Sequence, residues 1–274
     1  MTAREANVKL TRKTVGAALA AVALTAGMTS TAEQATAKAP MAHTGVQGAP
    51  VVVPAHATRT ATVTCPAGQQ VSGGGGVVDG GGLLLTGSNP NGRAWEAKFS
   101  NDSNVQRTGS AFAVCTDLTQ SVFRSSTVII TPGSNQAQVV RCPPGQNPTG
   151  GGFTTTGTDV PARIISSTQE SWHVRAVNNG TATQDMQAVV LCSGVPHENR
   201  LGTPVTVPAG GEVTATVNCP ANQVASGGAG QGNGNATFIA DSRALPDVRG
   251  WQIRGVNRDN VSRTFIAQVI CTAP

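Results

Sequence analysis

Apolar and polar residues alternate along much of this chain with the two-residue period of a β-strand. The segment from Trp95 places Trp95, Ala97 and Phe99 on one face, with polar residues between them on the other. Runs such as Ala111–Cys115 are apolar at nearly every position, which is typical of strands buried on both faces. No segment after residue 37 has helical periodicity long enough for a helix. The pattern predicts an all-β protein.

The same pattern occurs three times along the chain. The first cysteines of the copies lie 77 residues apart, and every copy has a first cysteine, a tryptophan and a closing cysteine. These marks are Cys65, Trp95 and Cys115; Cys142, Trp172 and Cys192; and Cys219, Trp251 and Cys271. Because each tryptophan shares a face with apolar residues, we predict core tryptophans, not exposed platforms for sugar rings. The predicted repeat units are 51–115, 128–192 and 205–274, with polar spacers at 116–127 and 193–204.

Each first cysteine opens a Cys-Pro-x-Gly/Asn-Gln motif, which a Gly-Gly pair follows. Proline cannot donate a ladder hydrogen bond, so Cys-Pro is predicted to end a strand, and the Gly or Asn two residues later to adopt positive φ in a turn. The Gly-Gly pair permits a bulge or a close approach of two backbones. An asparagine also follows each tryptophan by six residues, in a polar hairpin turn: Asn101, Asn178 and Asn257.

The first 37 residues have the features of an export signal. A basic start precedes the apolar run 15–26, and the segment ends in Ala35-Thr36-Ala37, which predicts cleavage after Ala37 on the general secretion route. Residues 38–50 are predicted to be a disordered leader. Removing residues 1–37 leaves 15 basic and 12 acidic residues (19 − 4 and 14 − 2), a net charge of +3. This small, dispersed excess excludes the basic stripe of a nucleic-acid-binding protein, and no membrane span is predicted after cleavage.

Six cysteines in an exported chain predict disulfides. Metal binding is the alternative, but there is no C-x-x-C, and the histidines lack ligand spacing relative to the cysteines. The separations within the units are 50, 50 and 52 residues, a regularity that pairing between units would have no reason to preserve. We therefore predict Cys65–Cys115, Cys142–Cys192 and Cys219–Cys271.

Catalytic and cofactor motifs are not found. The glycine-rich stretch 73–82 lacks the Gly-Lys-Ser/Thr of a phosphate loop. Asp79, Asp159 and Asp241 lie 14, 17 and 22 residues after their first cysteines, so the copies share no acidic position for acid–base catalysis. We predict a protein that is not an enzyme and that has no cofactor and no metal.

The Cys-Pro-x-Gly, Gly-Gly-Gly, Trp and Cys marks resemble those of a family of exported bacterial proteins, common in actinomycetes, to which no function is assigned. More distantly, three glycine-marked β units with paired cysteines resemble the vitelline membrane outer layer protein and the β-prism lectins. That resemblance implies a β-prism fold and suggests sugar binding. The chain has no tyrosine and lacks the Q-x-D-x-N-x-V-x-Y motif of the mannose-binding members, so their site residues are not transferred.

The predicted fold is therefore three antiparallel sheets around a pseudo-threefold axis, with three separate β-sandwich beads as the alternative. The predicted function is weak, multivalent binding of glycan or cell-envelope polymer by a secreted module. The alternative is a structural or protein-interaction protein of the cell surface or secreted matrix, including a protease inhibitor. The candidate contacts are the polar turns and the outward arginines: Asn101, Asn178, Asn257, Arg175 and Arg254.

Overall fold

The structure is a computed structural model that describes residues 43–274, apart from the side chain of Ile164. The predicted export signal 1–37 and its cleavage site lie outside the described residues. In the described part every regular element is a β-strand, so the predicted all-β class is confirmed. No helix in this part is long and apolar enough to cross a membrane.

Each repeat contributes seven strands in the same order. Those of repeat 1 are β1 (His43–Gln47), β2 (Val51–Val53), β3 (Thr58–Thr64), β4 (Gln70–Val78), β5 (Leu83–Asn91), β6 (Ala94–Asn101) and β7 (Arg107–Thr116). Those of repeat 2 are β8 (Ser121–Arg124), β9 (Val128–Ile130), β10 (Asn135–Arg141), β11 (Asn147–Thr155), β12 (Ala162–Ser167), β13 (Ser171–Val177) and β14 (Gln184–Ser193). Those of repeat 3 are β15 (Glu198–Leu201), β16 (Val205–Val207), β17 (Glu212–Asn218), β18 (Val224–Gly232), β19 (Thr237–Ala244), β20 (Gly250–Asn257) and β21 (Arg263–Thr272).

The strands form three antiparallel, seven-stranded sheets, and each sheet is shared by two repeats. Sheet A has the order β1-β7-β4-β19-β20-β17, with β2 beside β7. Sheet B has the order β3-β6-β5-β11-β14-β8, with β9 beside β14. Sheet C has the order β10-β13-β12-β18-β21-β15, with β16 beside β21. Each repeat thus places three strands in one sheet and four in the next, which closes a cycle of three.

Within a repeat, the three-strand part packs on the four-strand part as a two-layer sandwich. The predicted core tryptophans Trp95, Trp172 and Trp251 lie fully buried between these layers. A Cβ atom on Gly74 would lie 2.4 Å from the Trp95 ring, so the second glycine of the Gly-Gly pair leaves room for the indole. The sandwiches are joined by continuous sheets, so the alternative of separate beads is wrong.

The second repeat differs from the others at its tryptophan. The indole Nε1 groups of Trp95 and Trp251 each donate to a serine hydroxyl, Ser88 or Ser242, at 3.0 Å. By sheet register, Ile165 occupies the corresponding position in repeat 2, and the Nε1 of Trp172 has no hydrogen-bond partner among the described residues. Repeat 2 therefore keeps the tryptophan and lacks its polar partner.

The three repeats meet at a pseudo-threefold axis formed by β4, β11 and β18. A Cβ on Gly73 would lie 2.6 Å from the Cα of Gly227, one on Gly227 would lie 2.9 Å from the Cα of Gly150, and one on Gly150 would lie 2.8 Å from the Cα of Gly73. These contacts run in a cycle through all three repeats. The β-ladder register shifts just before each of these glycines, so the predicted bulge and close backbone approach are both confirmed.

A ring of buried hydroxyl groups accompanies the axial glycines. Ser72 donates to the carbonyl of Ser226 at 2.7 Å, Ser226 donates to the carbonyl of Thr149 at 2.8 Å, and Thr149 donates to the carbonyl of Ser72 at 3.0 Å. All three residues are fully buried. The hydrogen-bonded ring satisfies polar groups that the close packing removes from water, and it connects every repeat to both others.

The predicted boundaries of the repeats are wrong at their beginnings. Strand β1 lies inside the predicted disordered leader 38–50, and β8 and β15 lie inside the predicted spacers 116–127 and 193–204. These strands pair with the closing strands β7, β14 and β21 through the backbone. Edge pairing of this kind needs no apolar alternation, so the sequence pattern did not reveal it.

The three disulfides are Cys65–Cys115, Cys142–Cys192 and Cys219–Cys271, and no cysteine of the described residues is free. The predicted pairing within units is therefore confirmed. Each bond joins the end of a strand in one layer of a sandwich to the closing strand in the other layer, and so ties the two layers of that repeat together.

Candidate functional site

The turn after each first cysteine has the same backbone geometry in all three repeats. Gly68, Gly145 and Asn222 have φ values of 85°, 82° and 63°, in the left-handed region that glycine and asparagine favour. The N–H of the next residue, a glutamine each time, donates to the carbonyl of the turn proline at 3.1 Å. The predicted turn is confirmed, and it holds a glutamine at one equivalent position in each repeat.

These glutamines are Gln69, Gln146 and Gln223, and each is half-buried. The side-chain carbonyl oxygen Oε1 of each one is buried and has no hydrogen-bond partner among the described residues. Leaving a buried acceptor unsatisfied costs about 1–3 kcal/mol. The backbone of the turn does not require a glutamine side chain, yet all three copies have an Oε1 without a hydrogen-bond donor in the described part of the chain. This recurrence indicates that water or a ligand hydroxyl donates a hydrogen bond to each Oε1.

Two of the turns border clefts of about 510 Å³ each, within the size range of small-molecule sites. The cleft at the repeat 1 turn extends to the β5–β6 hairpin and to β8 of repeat 2, and its lining includes Gln69, Arg93, Gln120 and Val122. The cleft at the repeat 2 turn extends to the β12–β13 hairpin, and its lining includes Arg141, Pro144, Gln146 and Glu170. We call these surfaces the turn clefts.

The rims of the turn clefts are charged. The guanidinium of Arg93 donates to the carbonyl of Cys65 at 2.7 Å, and Arg141 lies 3.6 Å from Glu170 with both side chains largely exposed. Arg249 occupies the position of Arg93 beside the third turn, because its carbonyl likewise accepts the N–H of the first cysteine, Cys219. Guanidinium, carboxylate and amide groups around a cleft are suited to polar ligands that carry hydroxyl groups.

The three candidate asparagines are not on the surface. Asn101, Asn178 and Asn257 are 1%, 0% and 0% exposed. The Asn178 side chain donates to the carbonyls of Ile130 and Ala182 at 2.8 Å each and accepts from the N–H of Gly180 at 2.9 Å. The other two make the corresponding bonds in their own repeats. The prediction that they contact a ligand is wrong, because their amides hold the turn together.

The two candidate arginines belong to one recurring position. Lys98, Arg175 and Arg254 each lie three residues after the tryptophan of their repeat, on the outward face. Lys98 donates to the carbonyls of Thr155, at 3.1 Å, and of Gly157 in repeat 2, and burial lowers its pKa.

The two arginines differ from each other in their pairing. Arg254 pairs with Glu212, whose Oε2 lies 2.8 Å from its Nε. Arg175 is exposed and makes no hydrogen bond or ion pair within the described part of the chain. Of the residues predicted to bind, Arg175 is thus the one fully open to a ligand.

Two titratable groups have strongly shifted pKa values. Burial raises the pKa of Asp241 to about 6, against the opposing effects of Arg243 and of the Val78 N–H. Burial lowers the pKa of His197 to about 4, with a smaller contribution from the charge of His43. Asp241 lies on β19 of sheet A and His197 lies in the loop before β15 of sheet C, and no three His, Cys, Asp or Glu side chains of residues 43–274 come together as metal ligands.

Comparison with models of known protein families gives no match for this chain, and no curated protein matches it significantly. The candidate site therefore depends on the geometry within the chain. The three repeats serve as comparisons for one another.

Sequence reasoning missed the glutamines as site residues although they belong to the quoted motif. The available signal was their recurrence in all three copies at a position where turn formation requires only the preceding glycine or asparagine. What the sequence could not reveal is that each side-chain oxygen lacks a partner among the described residues and that two of the turns border clefts, because hairpins, and at the first turn also β8 of repeat 2, form the other walls.

Proposed function

We propose that this protein is a secreted, non-catalytic module that binds a hydroxyl-rich polymer, a glycan of the cell envelope or matrix, through the turn that follows the first cysteine of each repeat. The observation that carries the proposal is the threefold recurrence of a glutamine whose buried Oε1 has no internal partner: Gln69, Gln146 and Gln223. A sugar hydroxyl can donate to this oxygen, and neighbouring groups of the turn cleft can bind further hydroxyls.

Each single site is expected to be weak. The chain has six phenylalanines and three tryptophans. Phe123 is half-buried and the other eight are buried, so none of these side chains is exposed. The turn clefts therefore lack the aromatic platform on which a sugar ring stacks. Hydrogen bonds alone, in competition with water, contribute little per contact.

Three sites on one rigid body compensate for weak single contacts. The axial glycines and the hydroxyl ring fix the three turns relative to one another, so the protein does not have to order its turns when a second site binds the same polymer. Linked sites of this kind raise the overall affinity by roughly 10²–10⁴ where the geometry permits simultaneous contact. A repetitive polymer presents identical groups to all three sites.

An extracellular location is consistent with the three disulfides, which persist in oxidising surroundings. The absence of catalysis is proposed from the differing surroundings of the three aspartates. Asp79 accepts bonds from Thr108, whereas Asp241 is buried in a sheet, so the repeats do not share an acidic site.

The test is co-sedimentation of the mature protein with insoluble cell wall, chitin and cellulose, together with a glycan array. The key variant replaces all three glutamines with alanine. Because their side chains make no hydrogen bond to the described residues, the variant should fold with an unchanged unfolding midpoint and lose at least tenfold in binding. Gln136→Ala, on strand β10 outside the turn clefts, is the matched control and should bind as the parent does.

Single-site variants test multivalency. The single variants Gln69→Ala, Gln146→Ala and Gln223→Ala should each weaken binding to the polymer severalfold. For a short oligomer that spans only one site, each variant should lose no more than a third of the binding capacity, because two of the three sites remain. Equal binding by the triple variant and the parent would refute the proposal. Failure of the parent to bind any glycan, with specific capture of an extracellular protein, would favour the interaction-protein alternative.

A further inference from the structure

Sheet C carries two neighbouring arginines, one exposed and one buried, and neither pairs with a carboxylate of the described residues. Arg175 lies on β13, and Arg163 lies in the bulge of β12, where the register with β13 shifts. The charge of Arg175 adds to the effect of burial in lowering the pKa of Arg163, so the two guanidinium groups affect each other electrostatically. We call these two residues the arginine pair.

Arg163 is an unusual residue to find buried. It is only 4% exposed, and its Nε and Nη2 donate to the carbonyl of Gly234, with an Nε to O distance of 3.0 Å. Its Nη1 is buried without a hydrogen-bond partner among the described residues. A buried cation without an anionic partner is costly. Beside Gly234, Asp259 pairs with Arg263, so its carboxylate is already engaged.

Repeat 3 shows how an arginine at the position of Arg175 can be neutralised. In repeat 3, Arg254 pairs with Glu212 and lies opposite Asp241 in the sheet register. In repeat 2, register equivalence places Asn135 where repeat 3 has Glu212, and Ile164 where it has Asp241. Repeat 2 has thus lost both carboxylates and kept the outward arginine.

Repeat 2 has also gained a second cation at this place. The residues equivalent to Arg163 are Thr86 in repeat 1 and Ala240 in repeat 3. The same strip of the outward face continues to His173 and to Arg141 on the neighbouring strand β10; burial and the charge of Arg141 lower the pKa of His173, so Arg141 carries the positive charge there. The acidic group of this strip is Glu170, which lies 3.6 Å from Arg141 at the far end of β13.

We propose that the arginine pair is a binding site for a phosphate group. Two guanidinium groups without a carboxylate partner are complementary to a ligand with close to two negative charges and at least three acceptor oxygens. A phosphate group meets both requirements, whereas a carboxylate has one charge and two oxygens. Arg175 provides the exposed guanidinium, and the buried Arg163 beside it adds a second positive charge that pairs with no carboxylate of the described residues. The site is separate from the turn clefts and does not depend on the function proposed for them.

The test is isothermal titration calorimetry of the mature protein with inorganic phosphate at low ionic strength. Three variants define the site. Arg175→Gln removes an exposed group without internal contacts and should weaken phosphate binding at least tenfold. Asn135→Glu supplies the carboxylate that repeat 3 has at this position and should weaken it by a similar factor, because the protein then neutralises its own arginine. Arg254→Gln, at the equivalent position of repeat 3, is the control and should change the affinity less than twofold.

Two ligand arms identify the source of the phosphate group. Tighter binding of the phosphomonoester glycerol 1-phosphate than of inorganic phosphate supports a phosphorylated ligand, and the reverse order supports free phosphate; both fit the proposed site. Equal phosphate affinity of the parent, Arg175→Gln and Asn135→Glu would overturn the proposal. The triple glutamine variant should bind phosphate as the parent does, so failure at the turn clefts and failure at the arginine pair are distinguishable.

Discussion

The axial glycines allow a direct test of how the repeats are joined, through Gly73→Ala. The new Cβ atom would lie 2.6 Å from the Cα of Gly227 and 2.7 Å from the carbonyl oxygen of Ser226, both in another repeat. Carbon atoms in contact prefer about 3.5–4.0 Å, so the backbone of repeat 3 must move by about 1 Å. Neither neighbouring atom belongs to a flexible side chain that could turn away.

The cost of this movement can be worked from two contributions. Overpacking of a close-packed site costs about 1–3 kcal/mol. The shift also strains the adjacent hydrogen bond from Ser72 to Ser226, and loss of a buried bond of this kind costs about 1–3 kcal/mol more. We therefore expect Gly73→Ala to lower the free energy of unfolding by about 2–6 kcal/mol, a large part of the roughly 5–15 kcal/mol typical of a domain.

Equilibrium unfolding in urea, with the disulfides intact and tryptophan fluorescence as the probe, measures this effect. With a slope of about 2 kcal/mol per molar urea, the midpoint should fall by about 1–3 M. Each repeat has one buried tryptophan, so all three should report a single transition. Gly194→Ala is the control, because no heavy atom lies within 4 Å of its new Cβ and its φ is not left-handed. A midpoint shift no larger than that of Gly194→Ala, or separate unfolding of one repeat, would refute the reasoning.

The same urea assay checks three further predictions. Asn178→Ala removes three buried hydrogen bonds and should cost about 2–4 kcal/mol; a loss below about 0.5 kcal/mol would contradict the structural role of the asparagine. Ser88→Ala removes the hydroxyl that accepts from the indole of Trp95, so the free energy of unfolding should fall by about 1–3 kcal/mol. An unfolding midpoint and a tryptophan fluorescence equal to those of the parent would contradict this role of Ser88. Burial lowers the pKa of His197 from 6.5 to about 4, so the unfolded chain binds the proton first and stability should fall as pH drops from 6.5 to 4. His197→Gln should remove that loss of stability. Asp241 is left intact; its pKa is raised from 3.8 to about 6, so its contribution to stability falls as pH rises through that range, opposite to that of His197. Equal slopes of stability against pH in parent and variant would contradict the assignment.

The strand class, the turns and the disulfides followed from the sequence because their causes are local. Two-residue alternation identified the strand of Trp95 and its buried face, and the positions of Gly68, Gly145 and Asn222 identified positive-φ turns. The separations of the cysteines were enough to pair them, since a regular spacing has a simple explanation only within a unit. These features depend on residues whose neighbours in sequence already determine their conformation.

Strand exchange between repeats depended on the tertiary structure. Periodicity shows that a strand has a buried face but not which sheet it joins, so nothing in the sequence assigns β4 and β5 of one repeat to different sheets. The same limit applies to Asn101, Asn178 and Asn257. A polar residue in a polar turn was expected to be exposed, and only the fold shows that backbone carbonyls from a distant loop surround each amide.

The candidate sites were decided by contacts between segments that are far apart in sequence. The sequence contains Gln69, Gln146 and Gln223 in a motif, but only the folded structure shows that their Oε1 atoms are buried without a partner among the described residues and that two of the turns border clefts. Likewise, Arg175 and Arg254 occupy equivalent positions in the sequence, and it is the register across neighbouring strands that gives Arg254 a carboxylate and leaves Arg175 without one. Local sequence determined which side chains are present in each repeat, and the sheet register determined which charges and hydrogen-bonding groups are left for a ligand.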